Sequence, residues 1–236
     1  MDSKYFPLII IAGIIAGFIN TLAGSGSAVS VSMMIFLGIP SHIANGTNRV
    51  AILLQNIIGV KQFSKNNLLD KKGTVTLGTP AVFGSIVGSM LAASFGKQEM
   101  DIAIGYVMIL MLFVILLKPK KWLEGNLKAM ENTPNFWQYI MMFFIGVYGG
   151  FIQIGVGIFL LSGLVLSFGY DLVRANAVKV GIVLFFTIFS LTIFIYNKQV
   201  DWQVGLLLAL GNMTGAWLGT KLAIDKGAIW VRRLLI

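Results

Sequence analysis

The stretch that decides the fold reads Gly17-Phe-Ile-Asn-Thr-Leu-Ala-Gly-Ser-Gly-Ser27. It interrupts an apolar segment, residues 6–37, that would be about 48 Å long as one helix, whereas the hydrocarbon core of a bilayer is about 30 Å thick. A second overlong segment, residues 137–168, holds Gly155-Val-Gly157 at the corresponding place. Because glycine adopts the backbone conformations that end a helix, we predict that both segments are broken helices.

The composition of the whole chain is that of a membrane protein. Of its 236 residues, 57% are hydrophobic and 11% are charged, against about 25% charged residues in an average soluble domain. Long apolar segments follow one another with short polar joints between them. We therefore predict an all-α polytopic membrane protein.

The residue inventory excludes several classes of function. The chain has no cysteine and a single histidine, His42, which excludes a disulfide scaffold, thiol catalysis and a cysteine-ligated metal site. Neither a P-loop nor a Rossmann fingerprint is present. We predict no enzymatic activity, no catalytic residue, no cofactor and no metal. The net charge of +9 is explained by lysine-rich cytoplasmic loops rather than by nucleic-acid binding.

The two halves of the chain resemble each other. An offset of 131 residues aligns Gly24 with Gly155, and upstream of the break an offset of 133 aligns Asn20 with Gln153. Inside a continuous helix two extra residues would rotate everything beyond them by about 200°, whereas a non-helical break absorbs them. The alignment thus predicts an internal repeat and supports the breaks independently of the glycines.

These observations predict how the chain is divided. Residues 1–117 form a first transmembrane repeat, residues 118–136 a basic linker, and residues 137–236 a second repeat whose last helix is truncated. Each repeat would hold about four helices, the first of them broken. An even number of crossings returns the chain to its starting side, so we predict parallel repeats. The distribution of lysines then places the N-terminus and the linker in the cytoplasm.

Polar residues at matching positions in the two halves predict a binding site between the breaks. Half-helix N-termini offer free N–H groups to an anion, and the serines of the first break add hydroxyl donors. A cation inside a span costs about 2.5–3.5 kcal/mol and therefore often has a function. For Arg49, snorkelling to the outer headgroups or structural pairing is the alternative. The predicted substrate-binding residues are Asn20, Gly24, Ser25, Gly26, Asn45, Thr47, Asn48, Arg49, Gln153, Gly155, Gly157, Asn176 and Lys179.

Two aspartates, Asp70 and Asp201, are candidates for proton carriers. Asp70 and Asp201 align under the 131-residue offset, and each follows a short polar joint. Aspartate at such a position caps the N-terminus of the next helix. We predict that both are caps, which leaves no carboxylate deep in any span.

Several motifs together resemble the sulfite exporter TauE/SafE family. They are Gly17-Phe-Ile-Asn-Thr-Leu-Ala-Gly-Ser-Gly26, Gly38-Ile-Pro40, Ala44-Asn-Gly-Thr-Asn-Arg-Val50 and, in the second half, Arg174-Ala-Asn-Ala-Val-Lys179. The resemblance implies eight helices in two repeats. It also implies a secondary transporter in a bacterial inner membrane that exports small sulfur-containing or organic anions such as sulfite.

The expected partners follow from this interpretation. They are a small anionic substrate and the lipid bilayer, without nucleic acid. The sequence leaves open whether transport is coupled to protons, to sodium or to neither, and whether the protein forms a homo-oligomer. An anion or ion channel built on the same broken helices is the alternative function.

Overall fold

A computed structural model describes residues 3–117 and 134–226, and within these ranges the chain is helical, without strands. A short 3-10 turn, Ser3–Tyr5, precedes the first helix. The all-α prediction is confirmed. The α-helices are α1 Phe6–Leu22, α2 Ser27–Phe36, α3 Ser41–Lys65, α4 Lys71–Ala93, α5 Lys97–Leu117, α6 Phe136–Phe151, α7 Val156–Leu166, α8 Leu172–Tyr196 and α9 Trp202–Lys226.

The helices have the apolar character that a bilayer requires. Among the described residues, three helical stretches are long and apolar enough to cross a membrane, namely Ser3–Leu22, Lys71–Ala93 and Leu172–Tyr196. Large apolar side chains such as Phe83 and Phe144 are exposed on the outside of the bundle. In water such a surface would be unfavourable, whereas acyl chains cover it without cost.

Helix α1 runs parallel to α9 in close contact. A Cβ at Gly13 would overlap the carbonyl oxygen of Leu208, and five residues later Phe18 lies against Gly219. Glycines on both helices allow the backbones to approach, as is typical of helix pairs in membranes. The start of α1 therefore lies at the same end of the bundle as the start of α9.

Helix α3 also runs parallel to α9. The Asp201 N–H, just before α9, donates to the Thr47 hydroxyl over 2.9 Å, and further along Asn212 Nδ2 donates to Gln55 Oε1 over 3.1 Å. Helices α1 and α3 thus begin at the same end, and α2, which connects them, must run back toward it. Helices α1 and α2 form a hairpin that enters the bundle and returns.

The second half contains a hairpin that enters from the opposite end. Helices α6 and α8 both run parallel to α4, so both start where α4 starts, and α7 returns the chain between them. The contacts that establish these directions are Ala81 with Gly146 and Ser85 with Gly150 for α6, and Thr74 with Gly181 and Ser85 with Phe186 for α8.

We call the end that holds the starts of α1, α3 and α9 end one, and the end that holds the starts of α4, α6 and α8 end two. The two halves of the chain meet at both. At end one, Gln199 Nε2 donates to the Ala93 carbonyl over 3.0 Å. At end two, the Tyr170 hydroxyl donates to Asp70 Oδ2 over 2.6 Å. Burial, together with this hydrogen bond and the charge of Asp70, raises the pKa of Tyr170, so the phenol remains a donor at neutral pH.

The prediction of parallel repeats is wrong. The helices that align under the 131-residue offset, α3 with α8 and α4 with α9, run in opposite directions. The physical reason lies at the glycine-rich breaks, where the chain turns back instead of continuing across. In the first half this leaves α3, α4 and α5 to cross, an odd number, and the direction of the chain is inverted.

For the same reason, the prediction that the N-terminus and the linker share one side is wrong for their described residues, Ser3 and residues 134–136. Helix α1 starts at end one, whereas α6, which follows the linker, starts at end two. The predicted truncated helix and most of the linker fall on residues 227–236 and 118–133, outside the described residues. The aspartate caps are confirmed, since Asp70 accepts from the Gly73 N–H and Asp201 from the Val204 N–H.

The inverted arrangement predicts the sidedness of two introduced cysteines. Because the chain has no cysteine, Ser3→Cys at end one and Phe136→Cys at end two each give a unique thiol. A membrane-impermeant maleimide added to intact cells should label one variant and not the other, and both should react after permeabilisation. Equal behaviour of the two variants in intact cells, with neither labelled or with both labelled, would support the parallel arrangement.

Candidate functional site

The tips of the two hairpins meet inside the bundle. Gly24 and Gly157 lie so close that a Cβ on either would overlap the backbone of the other. Gly24 also has a φ of +83° and Gly155 a φ of +73°, in the left-handed region that favours glycine. Glycine is therefore required at these tips both for the turn and for the contact.

A small polar cavity lies beside this contact. The space open to the centre of a water molecule is about 10 Å³, which is room for about one water. A larger ligand can enter only if the hairpins or the surrounding helices move. The cavity is lined by Asn20, Gly24, Ser27, Gln55, Asn56, Gln153, Val156, Gly157, Lys179 and Val183.

The amides of the cavity are held by hydrogen bonds to the long helices. Asn20 Nδ2 donates to Gln55 Oε1 over 3.4 Å, and Asn212 donates to the same oxygen. Gln153 Nε2 donates to Thr187 Oγ1 over 3.1 Å. The two aligned amides, Asn20 and Gln153, are thus each bound to a crossing helix, α3 for the first and α8 for the second.

Ser27 supplies a donor with no partner of its own. Its side chain is 1% exposed and lines the cavity, and its Oγ has no hydrogen-bond partner among the described residues. Ser27 is the first residue of α2, and Gly157 lies in the first turn of α7, where N–H groups lack intrahelical acceptors. Two helix N-termini, each with partial positive charge, therefore meet at the cavity beside an unused hydroxyl.

Lys179 adds a cation to this set. Its side chain is 2% exposed and lines the cavity. Nζ donates to the main-chain oxygens of Asn20 over 3.1 Å and Thr21 over 3.0 Å, near the C-terminus of α1. A cation there offsets the partial negative charge of the helix end.

Arg49 makes the corresponding contacts in the other hairpin but does not line the cavity. Its guanidinium donates to the carbonyls of Gly149 and Gly150, near the C-terminus of α6, and to Gln153 Oε1 over 3.4 Å. It lies over the ring of Phe194 at 4.5 Å. The side chain is 0% exposed, so the snorkelling alternative is wrong and structural pairing is what the structure contains.

The structure brings part of the predicted site together at the cavity, namely Asn20, Gly24, Gln153, Gly157 and Lys179. The predicted residues that do not line it are Ser25, Gly26, Asn45, Thr47, Asn48, Arg49, Gly155 and Asn176. Of these, Asn45 donates to the Phe151 carbonyl, Thr47 accepts from the Asp201 N–H and Asn48 accepts from Ser30. Both amide atoms of the buried Asn176 lack a partner among the described residues.

Sequence reasoning did not include several lining residues. Gln55 and Asn56 follow Asn48 by about two helical turns, so the 3.6-residue period of α3 was a usable signal for both. Val156 and Val183 carry no chemical signal and become lining residues only through packing. Ser27 was recognised as a hydroxyl donor but was not assigned to the site.

An apolar exterior around a central polar cavity is the arrangement of a membrane protein that handles polar solutes. The family model described as sulfite exporter TauE/SafE matches residues 9–236, and the chain belongs to this family. The protein is therefore a multi-pass membrane transporter rather than an enzyme.

Curated relatives carry matching descriptions. A probable membrane transporter protein, ORF9, of Sinorhizobium sp. is 26% identical over 96% of this chain and 86% of the relative. A probable membrane transporter protein of Haemophilus influenzae is 24% identical over 95% of this chain and 87% of its own length. The probable membrane transporter protein YfcA of Escherichia coli K12 is 24% identical, over 94% and 82%. No solved structure matches this chain.

The contacts of Arg49 predict a large stability effect. Arg49→Gln leaves the carbonyls at the end of α6 without their charged donor, and hydrogen bonds to charged groups contribute about 1.5–3 kcal/mol. Arg49→Lys should be intermediate, because it keeps the charge without the forked geometry. Arg174→Gln is the control, since this exposed side chain pairs with Asp171 on the surface and such a pair contributes about 0.5 kcal/mol. The stability of all three variants is measured in detergent by thermal unfolding and by denaturant unfolding. Equal stability of Arg49→Gln and wild type would contradict the structural role of Arg49.

Proposed function

We propose that the protein is a secondary transporter that exports small sulfur-containing or organic anions, such as sulfite, across a bacterial inner membrane. We further propose that the anion binds in the cavity between the two hairpin tips. The observation that carries this proposal is the donor set of the cavity: Lys179, the free hydroxyl of Ser27 and the N-termini of α2 and α7.

The chemistry of the lining favours an anion over a cation. Neither aspartate nor glutamate is among the described residues that line the cavity. Burying an anion without partners is prohibitive, but N–H, O–H and ammonium donors replace its hydration shell. A sodium ion would meet a positive field at the same place. The family name supports a sulfite exporter, and the names of the relatives support a membrane transporter without naming a solute.

The direction of the helices supports an alternating-access mechanism. We propose that the two halves form an inverted repeat, in which one hairpin reaches the cavity from end one and the other from end two. Movement of one half against the other would then open the cavity first to one side and afterwards to the other. The contacts at the two ends, Gln199 with Ala93 and Tyr170 with Asp70, would break in turn.

We assign the predicted site residues outside the cavity to positioning. Arg49 acts through Gln153, whose oxygen it holds, and so orients an amide that lines the cavity. Asn45, Thr47 and Asn48 bind α3 to the first turn of α9 and to the hairpins. These bonds keep the tips in register, so their loss should affect binding less than loss of Ser27 or Lys179.

The cations support an orientation in which end two is cytoplasmic. Lysine and arginine are concentrated on the inner side of bacterial membrane proteins. We therefore propose that the linker is cytoplasmic and that the N-terminus is outside, the reverse of the N-terminal prediction. Among the described residues, end two holds Lys61, Lys65, Lys71, Lys72, Arg174, Lys221 and Lys226, and end one holds Lys4, Lys97 and Lys198.

The orientation predicts which of two cysteines is accessible from outside. In intact cells an impermeant maleimide should label Lys198→Cys, in the connection at end one, and should leave Lys65→Cys unlabelled until the cells are permeabilised. Both side chains are exposed, so burial does not confound the comparison. The opposite pattern would place end one in the cytoplasm.

The anion site predicts a loss of affinity in Ser27→Ala. Removing one donor to a charged ligand should cost about 1.5–3 kcal/mol, or about 10- to 100-fold in affinity. The measurement is radiolabelled sulfite uptake into proteoliposomes as a function of sulfite concentration. Ser94→Ala, an exposed serine at the end of α4, is the matched control and should resemble wild type. Wild-type affinity in Ser27→Ala would contradict the proposal that the anion binds in this cavity.

The same vesicles separate a transporter from a channel. Unlabelled sulfite on the far side should accelerate uptake of the label by counterflow if a single site alternates between the two sides. A channel would show no such acceleration. The small volume of the cavity, with room for about one water, supports the transporter.

A further inference from the structure

We propose that Lys179 carries a proton across the membrane together with the anion, so that the proton is the coupling ion. This inference rests on the proposed function, because it uses the same cavity. It adds a second cargo, and it assigns that cargo to one nitrogen atom.

The first argument is the environment of Nζ. It donates to two main-chain carbonyls, those of Asn20 and Thr21, and no carboxylate of the described residues lies within 4.0 Å of it. Within the described residues, Arg174 forms an ion pair with Asp171, but this pair lies on the surface and does not involve Lys179. An ammonium buried without a counter-ion is costly. The cavity beside Nζ is the place where a counter-ion can bind, and the transported anion is that counter-ion.

The second argument is the difference between the two buried cations. Arg49 keeps its proton under all conditions in a protein, whereas a lysine can exist as a neutral amine. Arg49 is held by carbonyls, by Gln153 and by the ring of Phe194, and it does not line the cavity. Lys179 is in the cavity. The structure therefore separates a permanent cation, which ties the halves together, from one whose charge can change with the ligand.

The third argument concerns the groups that face Lys179 from the helices packed against α8. Helices α1 and α7 contain no acidic, basic or tyrosine residue. Helix α3 contributes Arg49. Helix α6 contributes Tyr148, whose hydroxyl donates to the Ile154 carbonyl. Helix α4 begins with Asp70, which is bound to Gly73 and Tyr170 at end two, and with the exposed Lys71 and Lys72. None of these groups lines the cavity, so none of them can take up the proton in place of Lys179.

The transport step then balances in charge. With a monovalent anion such as hydrogensulfite bound, the ammonium and the anion form a neutral pair that moves through the alternating step. When the anion leaves to water, the N–H bond breaks, the proton passes to water on that side and the electron pair stays on nitrogen. The neutral amine returns, and it takes up a proton from water on the first side when the next anion binds. One proton moves with each anion, so export requires an outward anion gradient larger than the inward proton gradient.

The experiment uses proteoliposomes with sulfite as the probe and with the membrane potential clamped at zero. One cotransported proton should give about tenfold more accumulation for each pH unit, acid outside. Lys179→Arg keeps the positive charge but cannot release the proton. Its exchange of internal for external sulfite should be slower than that of wild type, because Lys179 also lines the binding cavity. Its accumulation under the pH gradient should fall by about tenfold per pH unit relative to wild type. The protonation of sulfite itself is the same for both proteins.

Two further comparisons control this test. Lys61→Arg, an exposed lysine of α3, should accumulate sulfite as wild type does. Lys179→His replaces the amine by another group that binds and releases a proton, and it should retain coupling at lower pH. A sodium gradient in place of the pH gradient should give no accumulation in any of these proteins.

The outcomes separate the two proposals. Accumulation by Lys179→Arg equal to that of wild type overturns the role of Lys179 and leaves the proposed function intact. If sulfite accumulation by wild type does not depend on the pH gradient, proton coupling through Lys179 is overturned, whether or not the variants fold. If wild type neither exchanges nor accumulates sulfite, the proposed function fails, and this inference fails with it.

Discussion

A helix that ends inside a membrane must satisfy its terminal backbone groups within the protein, because lipid offers no hydrogen-bond partner. This chain ends two helices in that way, α1 and α6, and places one buried cation at the C-terminus of each. Lys179 binds the carbonyls of Asn20 and Thr21, and Arg49 binds those of Gly149 and Gly150. Each cation belongs to the other half of the chain, so the same contacts that stabilise the helix ends also join the halves.

The polarity of the centre follows from this arrangement. Cations bind the C-termini of α1 and α6. The N-termini of α2 and α7 meet at the cavity, where their first N–H groups lack intrahelical acceptors. A site that is rich in donors and has no carboxylate among its described lining residues is suited to an anion. The close contact of Gly24 with Gly157 keeps the cavity small, and the proposed binding of an anion there therefore requires a movement of the hairpins.

The sequence predicted several polar residues that line the cavity but did not predict how they are arranged. The offset that aligns Asn20 with Gln153 identified two amides that both line the cavity, and the cost of burying a cation singled out Lys179 and Arg49. The outcome for these two cations differs, because only the tertiary structure places the end of α6 where the guanidinium reaches its carbonyls and not the cavity. Gln55 and Asn56 were within reach of a helical-period argument, whereas Val156 and Val183 were not.

By itself the sequence determined the class of the protein, the helical architecture and the two places where glycine ends a helix, because hydropathy and backbone freedom are local properties. Only the tertiary structure decided that the chain turns back at Gly24 and Gly155. A break permits either direction, and the choice depends on whether the second half-helix packs alongside the first. That one choice makes the number of crossings in the first half odd, inverts the helices of the second half, and places Ser3 and residues 134–136 at opposite ends of the bundle.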